Sequence, residues 1–113
     1  MATINKLIVE SQQTAAANTP EVFYTAPSTG LGTVITNFTA SNDAGLTVAY
    51  KAYIVASGGS PTNAVVPDRT IVENRTDVSA EMAAQIIPAG GTLQMETSSA
   101  ATISFTVSAR ELL

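Results

Sequence analysis

The residues able to do chemistry in this chain are carboxylates and hydroxyls, because cysteine, histidine and tryptophan are all absent. There is thus no thiolate or imidazole nucleophile, no histidine general base, and none of the nitrogen and sulfur ligands that zinc, copper and iron–sulfur centres prefer. What remains is acid–base work by paired carboxylates, cation binding by oxygen ligands, and anion binding by glycine-rich turns. Glu10, Asp43, Asp68, Glu73 and Glu81 fall at expected strand ends or on polar faces. A glycosidase needs two such groups facing each other across a sugar cleft. With three Phe, three Tyr and no Trp, aromatic walls for such a cleft are scarce, and ordinary solubilising charge accounts for the acids. Asn42-Asp43 looks like half of a calcium loop, but the EF-hand ligand series is missing and a turn explains both residues. Gly58-Gly59-Ser60 and Gly90-Gly91-Thr92 lack the lysine and spacing of a phosphate loop, and are read as turns. No catalytic residue, metal ligand or cofactor site is therefore assigned.

Arg69 and Arg75 lie close in sequence to Asp68, Glu73 and Asp77. Such a patch is either a solvated edge, with ion pairs worth less than about 1 kcal/mol each, or a polar contact with a neighbouring subunit, since interfaces enrich arginine. Asn37-Phe38-Thr39 and Asn74-Arg75-Thr76 satisfy the glycosylation rule, which matters only in a secretory pathway. The start, Met1 to Lys6, lacks the basic-then-apolar order of a secretory signal. Synthesis in a cytoplasm is expected, and both sites are treated as chance. No apolar run approaches the roughly 20 residues of a bilayer-spanning helix, so no membrane partner is expected. A net charge of −4, with only five Lys and Arg, argues against nucleic acid, because phosphate neutralisation needs clustered cations.

The elements that must carry these residues are strands. Of 113 residues, 45% are apolar and 12% charged, enough for one domain with a core and too apolar for a disordered chain. Thr, Ser, Val and Ala dominate, and β-branched residues fit a pleated surface. In Thr102–Arg110, Ile103, Phe105, Val107 and Ala109 alternate with Thr, Ser and Arg, which is a strand with one wet face. Further strands are read over Thr3–Glu10, Glu21–Ala26, Thr33–Ser41, Leu46–Ser57, Arg69–Asn74 and Thr92–Thr97. The run Ser41-Asn42-Asp43-Ala44-Gly45 is read as a tight hairpin turn. Val78–Ile87 carries Ala, Glu, Met and Gln, all helix formers, and predicts one short helical turn near 78–87 with Ser79 as its cap. The expected fold is an all-β antiparallel sandwich, or a jelly-roll-like variant, of seven to eight strands. It is expected as a single domain, with residues 1–19 forming an N-terminal strand and arm and residues 20–113 the sandwich.

Leu46–Ser57 is apolar on both faces, with Tyr53 and Val55 interrupting its polar row. Such a strand is either central and covered by loops, or it meets another subunit on its outer face. Few charges guard the strand edges, a liability in a free monomer that an oligomer removes. The candidate interface residues are accordingly Ile4, Leu7 and Ile8 on the first strand, Tyr53 and Val55, and the two arginines Arg69 and Arg75.

Glu21-Val22-Phe23-Tyr24-Thr25-Ala26-Pro27, Val34–Asn42 (VITNFTASN), Tyr53–Ser60 (YIVASGGS), Ile87–Gln94 (IPAGGTLQ) and Ser99–Phe105 (SAATISF) follow one another in order. This run resembles small β-sandwich structural proteins of tailed bacteriophage virions, from about Glu21 onward. The resemblance rests on strand-and-turn patterns and carries over no site residues. It implies a virion component without catalytic activity, present in many copies, made in the host cytoplasm and contacting other virion proteins, the major capsid protein among them. A head decoration (cement) protein is the expected role. A tail, collar or fibre-attachment part, or a glycan- or receptor-binding module, is the alternative. The arm is expected to reach a neighbour, so that deleting residues up to Thr19 abolishes assembly and leaves the sandwich folded.

Overall fold

A computed structural model describes residues 2–113. Nine strands run in the order β1 (Thr3–Gln12), β2 (Glu21–Thr25), β3 (Gly32–Asn42), β4 (Val48–Val55), β5 (Val66–Ile71), β6 (Arg75–Val78), β7 (Ile86–Ile87), β8 (Thr92–Thr97) and β9 (Ile103–Leu112). All pairings are antiparallel, and two sheets form: β1-β9-β3-β6, with β7 also on β3, and β2-β8-β4-β5. Setting aside the two-residue β7, the first sheet holds the first, last, third and sixth strands. The second holds the second, penultimate, fourth and fifth. That is the strand order of a jelly roll, the double-sheet member of the expected class.

The alternation seen in the sequence decides which residues fill the space between the sheets. Ile103, Phe105, Val107 and Ala109 of β9 are at most 1% exposed, with the intervening Ser and Thr half-exposed. Opposite them, Phe38 and Ala40 of β3 are fully buried. Phe105 sits at the centre, with its ring 5.5 Å from Phe23, 5.5 Å from Tyr50 and 6.0 Å from Phe38. Edge-on and tilted contacts of this kind suit the ring quadrupole.

Three expectations are corrected. The turn Ser41–Gly45 does not close a hairpin: β3 and β4 lie in different sheets, and the turn carries the chain across the sandwich. Asn42 organises it from a buried position, donating its amide to the carbonyls of Leu46 (2.8 Å) and Ile71 (2.9 Å) and accepting from the Ala44 amide (2.9 Å). Second, the stretch near 78–87 holds a turn over 80–84, with Gln85 N donating to Met82 O at 3.2 Å, but no helix; among the described residues there is none. The Ser79 amide donates to Phe38 O instead of opening a helix, and Ala84 N and Gln85 O both bond Ile35. The segment is one edge strand, β6 and β7, interrupted by a turn where β3 bulges between Ile35 and Asn37. Tertiary pairing overrides the helix propensity of Ala and Gln, while Met82 is fully buried in the core. These two short strands raise the count to nine.

Third, residues 1–19 do not hang free. Met1 lies outside the described residues, but Thr3–Gln12 pairs along β9 from Leu112 to Phe105. Val9 is 0% exposed, and the buried Thr14 hydroxyl bonds that of Thr97 at 2.6 Å. Thr3–Gln12 is the edge strand of the larger sheet, paired within its own chain.

Candidate functional site

Of the carboxylates singled out in the sequence, Glu10, Asp43, Asp68 and Glu73 are exposed and only Glu81 joins a contact between the sheets. The acids that tie the sheets together are Glu111 and Asp77. Tyr24 of β2 donates its hydroxyl to Glu111 of β9, across the sandwich. Glu111 is 6% exposed and also pairs with Lys6 of β1 at 3.4 Å. Elsewhere in the sandwich, Tyr50 of β4 donates to Asp77 of β6 at 2.8 Å. Arg69 of β5 reaches the same Asp77 at 3.3 Å and also pairs with Glu81. Each cluster joins a strand of one sheet to a strand of the other. The third tyrosine, Tyr53, donates to Glu96 within the smaller sheet, a diagonal neighbour across the β4–β8 ladder.

These contacts set the acidity of the tyrosines. Burial, then the hydrogen bond to Glu111, pushes Tyr24 up to about 12. Burial and Glu96 push Tyr53 up to about 12, and burial and Asp77 push Tyr50 higher still. The phenols are therefore neutral donors at physiological pH and no use as bases. A tyrosine whose folded pKa exceeds its unfolded value of about 10 adds stability that is complete below pH 10. That stability drains away as pH rises through the folded values. Urea unfolding midpoints are expected to hold level to about pH 10 and to fall steadily from there to about pH 12. Tyrosines that titrate together near 10 in the folded protein would contradict this.

The seven candidate interface residues separate. Ile4 and Leu7 are about half exposed, at 46% and 47%, while Ile8 packs partly on the core. Tyr53 and Val55 are 7% and 5% exposed within the single chain, so of the two readings for β4 the covered one applies, and neither presents a contact surface. The β4–β5 loop contributes the cover at Val55, where Gly59 lies against its side chain. Arg69 is consumed by its inter-sheet contacts. Arg75 is exposed and makes no ion pair among the described residues. It edges an open groove with Thr70, Val72 and Thr76. A second, polar hollow beside Lys51, Asp68 and Glu96 measures about 50 Å³, far below the few hundred Å³ of a small-molecule site. None of the six aromatic side chains is exposed, so no ring offers itself for stacking on a sugar.

Sequence reasoning missed Glu111 and Tyr24 as partners. The one available signal was an acid at an inward position of β9, continuing the row Ile103, Phe105, Val107, Ala109. A charge in a core row demands a partner.

The outer face of the larger sheet is the other feature with functional content. Its positions on β9 and β3 are Ser104, Thr106 and Ser108 beside Asn37, Thr39 and Ser41, followed towards one end by Arg110 beside Val34 and then Leu112. Ile86 continues the aliphatic end beside Val34 and Gly32.

No protein-family model matches the chain, and no curated protein does. Among solved structures, a chain of the T13 viral particle of infectious bursal disease virus superposes with a TM-score of 0.55 and 13% identity, covering 98% of this chain and 31% of that one. A chain of the VP2 subviral particle of the same virus gives 0.46 and 15% over 98% and 32%. At such identity the first likeness establishes the fold alone. The chain spans about a third of the length of these viral chains.

Proposed function

We propose that this protein is a non-enzymatic structural component of a virus particle, acting as a head decoration (cement) subunit of a tailed phage. The observation that carries the reading is the jelly-roll strand order, an architecture on which capsid subunits are built, together with the fold shared with a chain of an icosahedral virus particle. The surface supports it. The acids at the sheet junctions, Glu111 and Asp77, are taken up by Tyr24, Tyr50 and Arg69, and one broad sheet face carries little charge. A rigid sandwich loses little conformational freedom on docking. A subunit that binds only the expanded shell stabilises it by mass action.

The test is to mix the purified protein with expanded and unexpanded shells and locate it by cryo-electron microscopy. Regular added density on the outer head of expanded particles is expected. Density confined to the tail or collar, or no association with particles, overturns the decoration reading.

A further inference from the structure

From the outer face of the β1-β9-β3-β6 sheet we infer a self-association surface, whose occupant is the same face of a second copy of this chain. The inference deepens the structural-component reading by naming how its copies meet. Three observations carry it.

The first is charge. The chain is acidic, at −4, so two copies repel unless they meet through a face that carries little of it. On β3, β6, β7 and β9 the only charged side chain directed outward is Arg110, which donates to Asn5 Oδ1 at 3.1 Å. Glu10 stands at the β1 margin. The outer face of the smaller sheet instead presents Lys51, Asp68 and Glu96.

The second is self-complementarity. A two-fold interface places a patch on its own copy, and a hydroxyl both donates and accepts. The Ser and Thr rows already bond among themselves: Ser41 with Thr76 at 2.7 Å, and Ser11 with Thr106 at 3.4 Å. The same groups satisfy a facing copy, which a patch of one charge sign cannot do. Leu112, Val34 and Ile86 supply an apolar patch beside Arg110 at one end of the face, Ile86 being 56% exposed, and the hydroxyl rows supply polar contacts along the rest.

The third is area. β1, β3 and β9, of ten or eleven residues each, with the shorter β6 and β7 along one edge, make a face of roughly 600 Å² in projection at about 4.8 Å between strands and about 3.3 Å per residue. Side-chain relief brings this towards the roughly 800 Å² per partner of a standard interface.

Sedimentation of the whole chain over about 1–100 µM, the span that reveals a micromolar dissociation constant, is expected to show a species of twice the 11.6 kDa chain mass. Thr106→Glu and Ile86→Glu each place like charges face to face and are expected to raise the dissociation constant at least tenfold, with thermal unfolding unchanged at concentrations where parent and variant are both monomeric. Thr70→Glu, on the other sheet, leaves it unaltered. Because the chain has no cysteine, Ser108→Cys and Thr70→Cys each accept one spin label without further change. Dipolar coupling is expected to place labels at 108 within about 20 Å of each other and labels at 70 beyond about 30 Å, given sheets stacked about 10 Å apart. A monomer at every concentration, a dimer indifferent to both charge substitutions, or the reverse order of label distances overturns the inference. Monomers that still decorate shells sink this surface and leave the particle reading standing. Dimers that ignore every particle do the opposite.

Discussion

Deleting residues 1–19 is expected to destroy cooperative folding, not merely to release the protein from a partner. β1 forms one whole side of the β9 ladder from Thr3–Leu112 to Gln12–Phe105. Its removal strips the cover from Val9's place in the core; burial of one such side chain is worth about 1.5–3 kcal/mol. It also breaks the buried Thr14–Thr97 hydrogen bond, worth about 1 kcal/mol, and removes Lys6 from the buried Glu111 carboxylate. Leaving a buried charge short of its partner costs more than the pair contributed. β9, the central strand with the most apolar row, becomes a bare edge and an invitation to aggregate. Against a total stability of about 5–15 kcal/mol for a small domain, these losses are decisive. Far-UV circular dichroism and a urea titration of residues 20–113 are expected to show no sharp transition. A truncated chain that unfolds with the midpoint of the full one would mean that the first strand is an appendage after all.

Phe105→Ala is expected to be the most damaging single substitution, costing about 3–5 kcal/mol. The ring is 0% exposed and touches aromatic rings from β2, β3 and β4, so it bridges both sheets. No neighbour can collapse into the space without leaving its own strand. The cost should appear as a thermal midpoint lowered by more than 10 °C, at about 4 °C per kcal/mol for a domain near this size, with the urea m-value unchanged. A loss under 1 kcal/mol would show that the three rings repack, and would place the centre of the core elsewhere.

Much of the fold is legible in the residues because side-chain direction in a strand is a local property. Ile103, Phe105, Val107 and Ala109 alternate with Ser and Thr, and the pleat alone puts them on one face. The same logic holds for Leu93 and Met95 of β8 and for the polar β4–β5 loop. On β3, strict alternation would set Val34 and Thr36 inward with Phe38 and Ala40, whereas the bulge between Ile35 and Asn37 turns Ile35 into the core and leaves Val34 outside. It failed where a local preference met a distant partner. Val78–Ile87 has helical composition, yet Phe38 and Ile35 of β3 hold its two ends in a sheet. Val66 begins β5 three residues before the expected strand, and Asn74, at a φ of 57°, turns where that strand was to continue. The interface candidates fared by exposure: Ile4 and Leu7 lie open, while β4 is covered by its own chain, which no count of apolar residues distinguishes from cover by another subunit.

The amino-acid order by itself determined the all-β class, the inward row of β9 and the absence of thiol and imidazole chemistry, since these follow from residue types and an unbroken two-residue period. Only the tertiary structure decided which strands are neighbours. Six of the eight connections pass from one sheet to the other, so almost every ladder joins segments far apart in the chain, and the choice among them is made by how whole faces pack. That choice carried Glu111 to Tyr24 and Asp77 to Tyr50 and Arg69, turning scattered acids into ties between the sheets. It also gathered separate Ser and Thr residues from β3, β6 and β9 into one nearly uncharged face, a surface that exists only once distant strands lie side by side.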